Sequence, residues 1–268
     1  MNEYFESGYF LSKGLLLKSH VQNMRSSIQS LFRRQFTNPT HSFDEGLFEF
    51  FSRDIKGYVN ANRTAANLPL LYSIAYHPEI LALLRKLGLQ EPILCQKPTL
   101  RMDCRRLAMA KEYYKLPAHQ DYRAMQGSLN SVVVSIPLVD ADDNLGALQV
   151  VPGSHLRGLL PTQSTVEGKS KLDAARSIEI ANIKDEEFVT VNQEEGDILV
   201  ISSFLVHRSG TNVTESPRYT LLVRYNDLSD PTFQQNSFPN PFKMTHDDTL
   251  NPSINFAAEL KDVFQHSH

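Results

Sequence analysis

Arg218-Tyr-Thr-Leu-Leu-Val-Arg-Tyr-Asn226 alternates with period two: the odd positions hold Tyr219, Leu221, Val223 and Tyr225, the even ones Arg218, Thr220, Leu222, Arg224 and Asn226. Successive side chains of a strand leave opposite faces, so one face of this segment is apolar and the other mixes cations, a hydroxyl and an amide. A strand of this kind sits between a hydrophobic core and a polar space. Working outward, residues 131–139, 147–151 and 198–206 are further short apolar or alternating runs, separated by Gly, Pro, Asp and Asn, and they read as strands.

Upstream the period changes. Leu17, Val21, Met24, Ile28 and Leu31 recur at helical spacing, which predicts an amphipathic helix over residues 12–35. Ser42 followed by Glu45 has the capping-box pattern and predicts a second helix continuing through Leu47, Phe51, Ile55 and Tyr58. Pro78 at a first helical position and Gly88 at a left-handed stop bracket a third. Helices over residues 1–91 followed by strands over 92–227 predict an α+β, mainly β fold, in which an antiparallel sandwich or jelly roll is buttressed by the N-terminal helices. Residues 160–182 are polar with little strand pattern and are expected to form a mobile lid. Residues 228–268, rich in Pro, Asn, Asp and Ser before a helix-like stretch at 254–264, are expected to wrap the body, the 268 residues forming a single domain.

Composition removes several classes of function. With 41 % hydrophobic and 21 % charged residues and no low-complexity tract, the chain is globular rather than disordered. A net charge of -3 with dispersed basic residues offers no phosphate-neutralising surface, so no nucleic-acid partner is expected. No apolar run approaches the roughly 20 residues that span a bilayer, and the first ten residues lack a charged start followed by an apolar region. Cys95 and Cys104, expected to be buried thiols, suit a reducing compartment, and a cytoplasmic location is expected.

Nine histidines and 30 acids among 268 residues make about one His-x-acid pair a chance expectation. Three occur, and context separates them. His77-Pro-Glu79 begins a helix, where capping and the helix dipole account for both residues. His246-Asp-Asp248 lies in the irregular C-terminal region, with no strand to hold it. His119-Gln-Asp121 leads toward the strand at 131–139; in extended backbone both side chains leave one face and can converge on an ion. His207 closes the apolar run 198–206, at a strand end that can project into the mouth of a sandwich. Two imidazoles and a carboxylate form the facial set that leaves open positions on a non-haem Fe(II). The same trio in a metal-binding, non-catalytic cupin-like protein, or around Zn²⁺ in a hydrolase, are the alternatives.

Pro117-Ala-His-Gln-Asp-Tyr122, Gly146-Ala-Leu-Gln-Val-Val-Pro-Gly-Ser-His155, Gly196-Asp-Ile, His207-Arg-Ser-Gly-Thr-Asn212 and the segment from Arg218 to Asp227 follow one another in order. In this the region 117–226 resembles the phytanoyl-CoA dioxygenase family of 2-oxoglutarate/Fe(II) oxygenases. The resemblance implies a double-stranded β-helix, with His119, Asp121 and His207 as iron ligands and Arg218 as the anchor of 2-oxoglutarate, helped by the Ser209 hydroxyl. It also implies oxidative decarboxylation of 2-oxoglutarate to succinate and CO2 by O2, coupled to hydroxylation of a small-molecule substrate, with ascorbate as a possible reductant. A guanidinium suits the co-substrate's distal carboxylate because it offers two parallel charge-assisted hydrogen bonds. His155 belongs to the family's Pro-Gly-Ser-His turn and is expected to be a hydrogen-bonding residue rather than a ligand. Arg224, on the Arg218 face about 20 Å further along the strand, and Arg101 are further cations that can border the cavity. They point to a substrate carrying a carboxylate, phosphate or other polar group, or else each pairs with a nearby acid. No dense basic patch favours a coenzyme A thioester.

Overall fold

The computed structural model describes residues 2–108, 116–164, 178–180 and 182–239. Its helices include α1 (Asn2–Ser7), α2 (Lys18–Arg33), α3 (Phe43–Arg53), α4 (Ile55–Ala65), α5 (Pro69–Ala75), α6 (Pro78–Lys86) and a single turn, α7 (Tyr122–Met125). Its strands are β1 (Tyr9–Ser12), β2 (Pro92–Leu94), β3 (Thr99–Asp103), β4 (Val132–Pro137), β5 (Leu148–Val150), β6 (Thr162–Ser164), β7 (Ile178–Ile180), β8 (Val189–Val191), β9 (Ile198–Ser202), β10 (His207–Ser209) and β11 (Arg218–Asp227). The larger sheet runs β1-β9-β4-β11-β2, and β3 also pairs with β11. The smaller sheet runs β10-β5-β8, and β6 pairs with β7 as a separate ribbon. Every pairing is antiparallel.

Period-two alternation explains where the core and the cavity lie. From β11, Tyr219, Leu221, Val223 and Tyr225 join Val132, Val134 and Ile136 of β4 and Leu100 and Met102 of β3 in one buried cluster with Val21, Met24, Ile28 and Phe32 of α2. Burying such side chains stabilises the fold by roughly 1.5–3 kcal/mol each, which is what holds the helical layer on the sheet. The intervening residues Arg101, Val133, Ser135, Ile201, Arg218, Thr220, Leu222 and Arg224 face the other way and line a cavity against the smaller sheet. The Tyr219 hydroxyl donates to Asp44 Oδ1 at 2.9 Å, tying β11 to the first turn of α3.

Several elements depart from sequence expectation. The helix expected over 12–35 begins only at Lys18: residue 12 ends an edge strand on β9, Gly14 is left-handed at φ 59°, and Leu16 N is bonded to Gly196 O at 2.9 Å. The helix announced by Ser42 has its capping box, yet it breaks at Asp54, whose φ of -147° leaves the helical region. There the Asp54 carboxylate accepts from Gly57 N at 2.8 Å and starts α4. The third helix runs Pro78–Lys86, and Gly88 takes the expected left-handed conformation at φ 102°. The two ends of 160–182 are not strandless: they pair as β6 and β7. The centre of that expected lid, the helix expected at 254–264 and His246-Asp-Asp248 lie outside the described residues. Among the described residues no helix is long and apolar enough to cross a membrane.

Candidate metal centre and co-substrate pocket

His207 does not end β9. The strand stops at Ser202, the chain turns with Leu205 N bonded to Ser202 O at 2.9 Å, and His207 opens β10 in the facing sheet. His119 and Asp121 do not share an extended strand either. His119 makes a two-way backbone bridge with His207, N–O 2.9 and 3.1 Å, while Asp121 has helical backbone (φ -66°, ψ -24°) at the start of α7. The three side chains therefore converge through a bridge and a turn, not through strand alternation, and their ligand atoms lie within 4.8 Å of one another.

Each imidazole is oriented by its own chain. His119 Nδ1 lies 2.8 Å from Pro117 O and His207 Nδ1 2.9 Å from Leu205 O. A carbonyl can only accept, so both Nδ1 atoms carry the proton and Nε2 is left as the nitrogen of each ring that can ligate a metal. His207 Nε2 stands 3.4 Å from Asp121 Oδ2. Burial, and next the neighbouring His207, push His119 down to a pKa of about 3, so it is neutral and ready to ligate at physiological pH. Burial alone would raise the Asp121 carboxyl, but the Arg224 guanidinium and then His207 hold it well below its ordinary value. Two imidazole nitrogens and a carboxylate oxygen, lying within 4.8 Å of one another, fit a divalent first-row metal with positions left open.

The same cavity extends to Arg218, with Ser209, Thr220, Leu148, Gln193 and Leu116 among its walls. Arg218 donates through Nη1 to Gly146 O and through Nη2 to Asp103 Oδ2 at 2.9 Å, with Ser209 Oγ 3.5 Å from the same nitrogen. Gly146 has φ 76°, and a Cβ there would meet Asn212 N at 2.7 Å, so the close packing of this turn against the 210–212 backbone calls for glycine. Arg218 Nε is buried and has no hydrogen-bond partner among the described residues, an orphan donor that a co-substrate carboxylate fits.

Arg101 and Arg224 also line the cavity, and both hold acids. Arg101 forks onto Asp103, Nε–Oδ2 2.9 Å and Nη2–Oδ1 2.5 Å. Arg224 contacts the ligand residue itself, with Asp121 Oδ1 at 3.3 Å from Nε and 3.1 Å from Nη2. The sequence reading missed Asp103, although its signal was present: an acid two residues after Arg101 on one strand shares its face, and β3 register sets Asp103 opposite Arg218. It also missed Gln120, a fully buried amide that accepts from Leu160 N at 2.8 Å and donates to Gly158 O and Phe204 O. His155 is buried away from the trio, with Nε2 3.1 Å from Phe5 O, and His77 caps α6 by accepting from Glu79 N.

An antiparallel sandwich holding two histidines and an aspartate at one end of a cavity, and a buried arginine at the other, is the plan of an iron- and 2-oxoglutarate-dependent oxygenase. Residues 4–220 match the model of the family described as phytanoyl-CoA dioxygenase. The chain belongs to that family. Curated relatives include a methylphosphonate hydroxylase from Gimesia maris, 27 % identical over 86 % of this chain and 80 % of the relative. Another is a 1-deoxypentalenic acid 11-beta-hydroxylase from Streptomyces exfoliatus, 24 % identical over 80 % of this chain and 74 % of the relative. Among solved structures, the fold is shared with the non-heme monooxygenase ThoJ, at TM-score 0.61 and 17 % identity over 99 % of this chain and 97 % of that one. It is shared also with the epimerase SnoN, solved with Fe3+, alpha ketoglutarate and nogalamycin RO, at TM-score 0.54 and 22 % identity over 84 % of this chain and 81 % of that one.

Proposed function

We propose that the protein hydroxylates a small polar or anionic organic molecule, with His119, Asp121 and His207 holding Fe(II) and Arg218, assisted by Ser209, holding 2-oxoglutarate. When bound, the metal supplies the site at which O2 is reduced while 2-oxoglutarate loses CO2 and leaves as succinate, one oxygen atom going to the substrate C–H bond. The chain's own residues do the rest. The Pro117 and Leu205 carbonyls fix the imidazole tautomers, and Leu148, Val133, Ile201 and Leu222 give the cavity apolar walls that keep it poor in water.

The observation that carries this reading is the charge of the distal end. Asp103 is shared between Arg101 and Arg218, so two guanidiniums face one carboxylate and one positive charge is left for a ligand anion. The distal carboxylate of 2-oxoglutarate completes that set. Support for an anionic prime substrate comes from Arg101 and Arg224, which put cationic side chains on the cavity wall, and from two relatives whose names specify a phosphonate and a carboxylic acid. Because both arginines already hold an acid, and the surplus charge beside Asp103 is assigned to 2-oxoglutarate, their proposed part is hydrogen-bond donation to a polar substrate group rather than net positive charge.

The test is succinate release from 2-oxoglutarate under air with Fe(II) and ascorbate, against a panel of small phosphonates, carboxylates, neutral alcohols and hydrocarbons, with products weighed by mass spectrometry. A gain of one oxygen atom by an anionic or polar member is the expected result. Release of no succinate with any member, or turnover of hydrocarbons alone, refutes the reading.

A further inference from the structure

The geometry points to Arg224 as a positioning residue for the metal: it holds one oxygen of Asp121 so that the other is presented to the two imidazoles. This rests on the proposed metal site and adds to it a residue outside the ligand trio. Two nitrogens of the Arg224 guanidinium, Nε and Nη2, converge on Asp121 Oδ1. Oδ2 is the oxygen that faces His207 Nε2. The two oxygens of the carboxylate are thus divided between an arginine and the metal position.

The guanidinium is itself held. Nη1 reaches Thr99 Oγ1 at 3.3 Å, and the Arg224 backbone is fixed on both sides, by register with Val133 of β4 and by Cys95 N donating to Arg224 O at 2.8 Å. Asp121 needs such support because it sits at the start of a single helical turn rather than inside a strand. Both partners are buried, so the contact is not loosened by water.

Position and charge make opposite predictions. A cation beside the site repels a bound dication, so if Arg224 acted through charge alone, removing it would tighten metal binding. If it acts by holding Asp121, removing it weakens binding, as loss of an outer-shell partner commonly does by about 10–100-fold. The experiment is titration of the purified full chain, free of metal, with Co(II) alone, followed by calorimetry and by the visible Co(II) spectrum. Arg224→Gln is expected to weaken Co(II) affinity about 10–100-fold and to alter the spectrum. Arg224→Lys, which keeps the charge but cannot present two nitrogens to one oxygen, is expected to fall between the two, and it serves if the Gln variant does not fold. Unchanged or tighter binding by the Gln variant, or wild-type affinity and spectrum in the Lys variant, overturns the assignment. Failure of the unsubstituted protein to bind Co(II) overturns the metal site itself, a separate result.

Discussion

Replacing Asp103 with Asn asks whether the shared carboxylate sets the charge of the pocket's distal end. In the native chain Asp103 accepts from Arg101 Nε at 2.9 Å, Arg101 Nη2 at 2.5 Å and Arg218 Nη2 at 2.9 Å. Burial would raise its carboxyl, but Arg101 and then Arg218 hold it below its ordinary value. Asparagine keeps the shape and one acceptor, loses the charge, and turns an NH2 toward a guanidinium. Removing one partner of a buried ion pair costs about 3–5 kcal/mol, and with one acceptor retained the expected cost is about 3 kcal/mol. For a chain of this size that is a drop of about 6–12 °C in Tm. The co-substrate carboxylate can replace part of what was lost, so 2-oxoglutarate with Co(II) should raise the Tm of the variant by more than it raises that of the native protein. Thermal unfolding with and without the two ligands reads both effects. A variant that melts within about 2 °C of the native protein, or gains no more from 2-oxoglutarate, refutes the reasoning.

Three further outcomes are expected. His119→Ala and His207→Ala should fold, since His207 and His119 are tied through backbone bonds that alanine keeps, and should lose metal binding and turnover; normal activity in either would remove the ligand assignment. Arg218→Ala should raise the 2-oxoglutarate Kd by about 30- to 5,000-fold, the equivalent of about 2–5 kcal/mol, and Arg218→Lys should recover only part of it; an unchanged Kd in the alanine variant moves the anchor elsewhere. His119 and His155 have pKa values pushed by burial to about 3 and about 4 from 6.5, so below pH 6.5 the unfolded chain binds more protons than the folded one. Metal-free protein should therefore lose stability as pH falls from about 6.5 toward 4, by up to about 1.4 kcal/mol per pH unit for each histidine. Denaturant midpoints across that range check it, and a shallower decline in His119→Ala is expected.

What could be read from the sequence was whatever follows from local period. Alternation along 218–226 is enough by itself to put Arg218, Thr220, Leu222 and Arg224 on one face, and those four line the cavity. Capping chemistry at Ser42, Pro78 and Gly88 marked helix ends correctly for the same reason. What failed was anything that depends on a partner far along the chain. The helix expected from residue 12 starts only at Lys18, after an edge strand that pairs with the distant β9, and the break at Asp54 depends on a single carboxylate turning back to Gly57 N. Asp103 joins Arg218 only through the register of β3 on β11, a separation of 115 positions. The trio was recognised by order and residue type, yet the reasoning from one extended strand was mistaken, because Asp121 reaches the histidines from a helical turn.

The strand β11 divides the chain's tolerance of change by parity. Its even positions serve the cavity and its odd positions serve the helical layer, so substitutions can alter the pocket at 218, 220, 222 or 224 without disturbing Tyr219, Leu221, Val223 or Tyr225. An inserted or deleted residue has no such freedom, since a one-step slip turns arginines into the apolar layer and tyrosines into the pocket. A saturation library over this strand should thus show tolerance that rises and falls with every second codon, while any in-frame indel within it should be lost from the folded population.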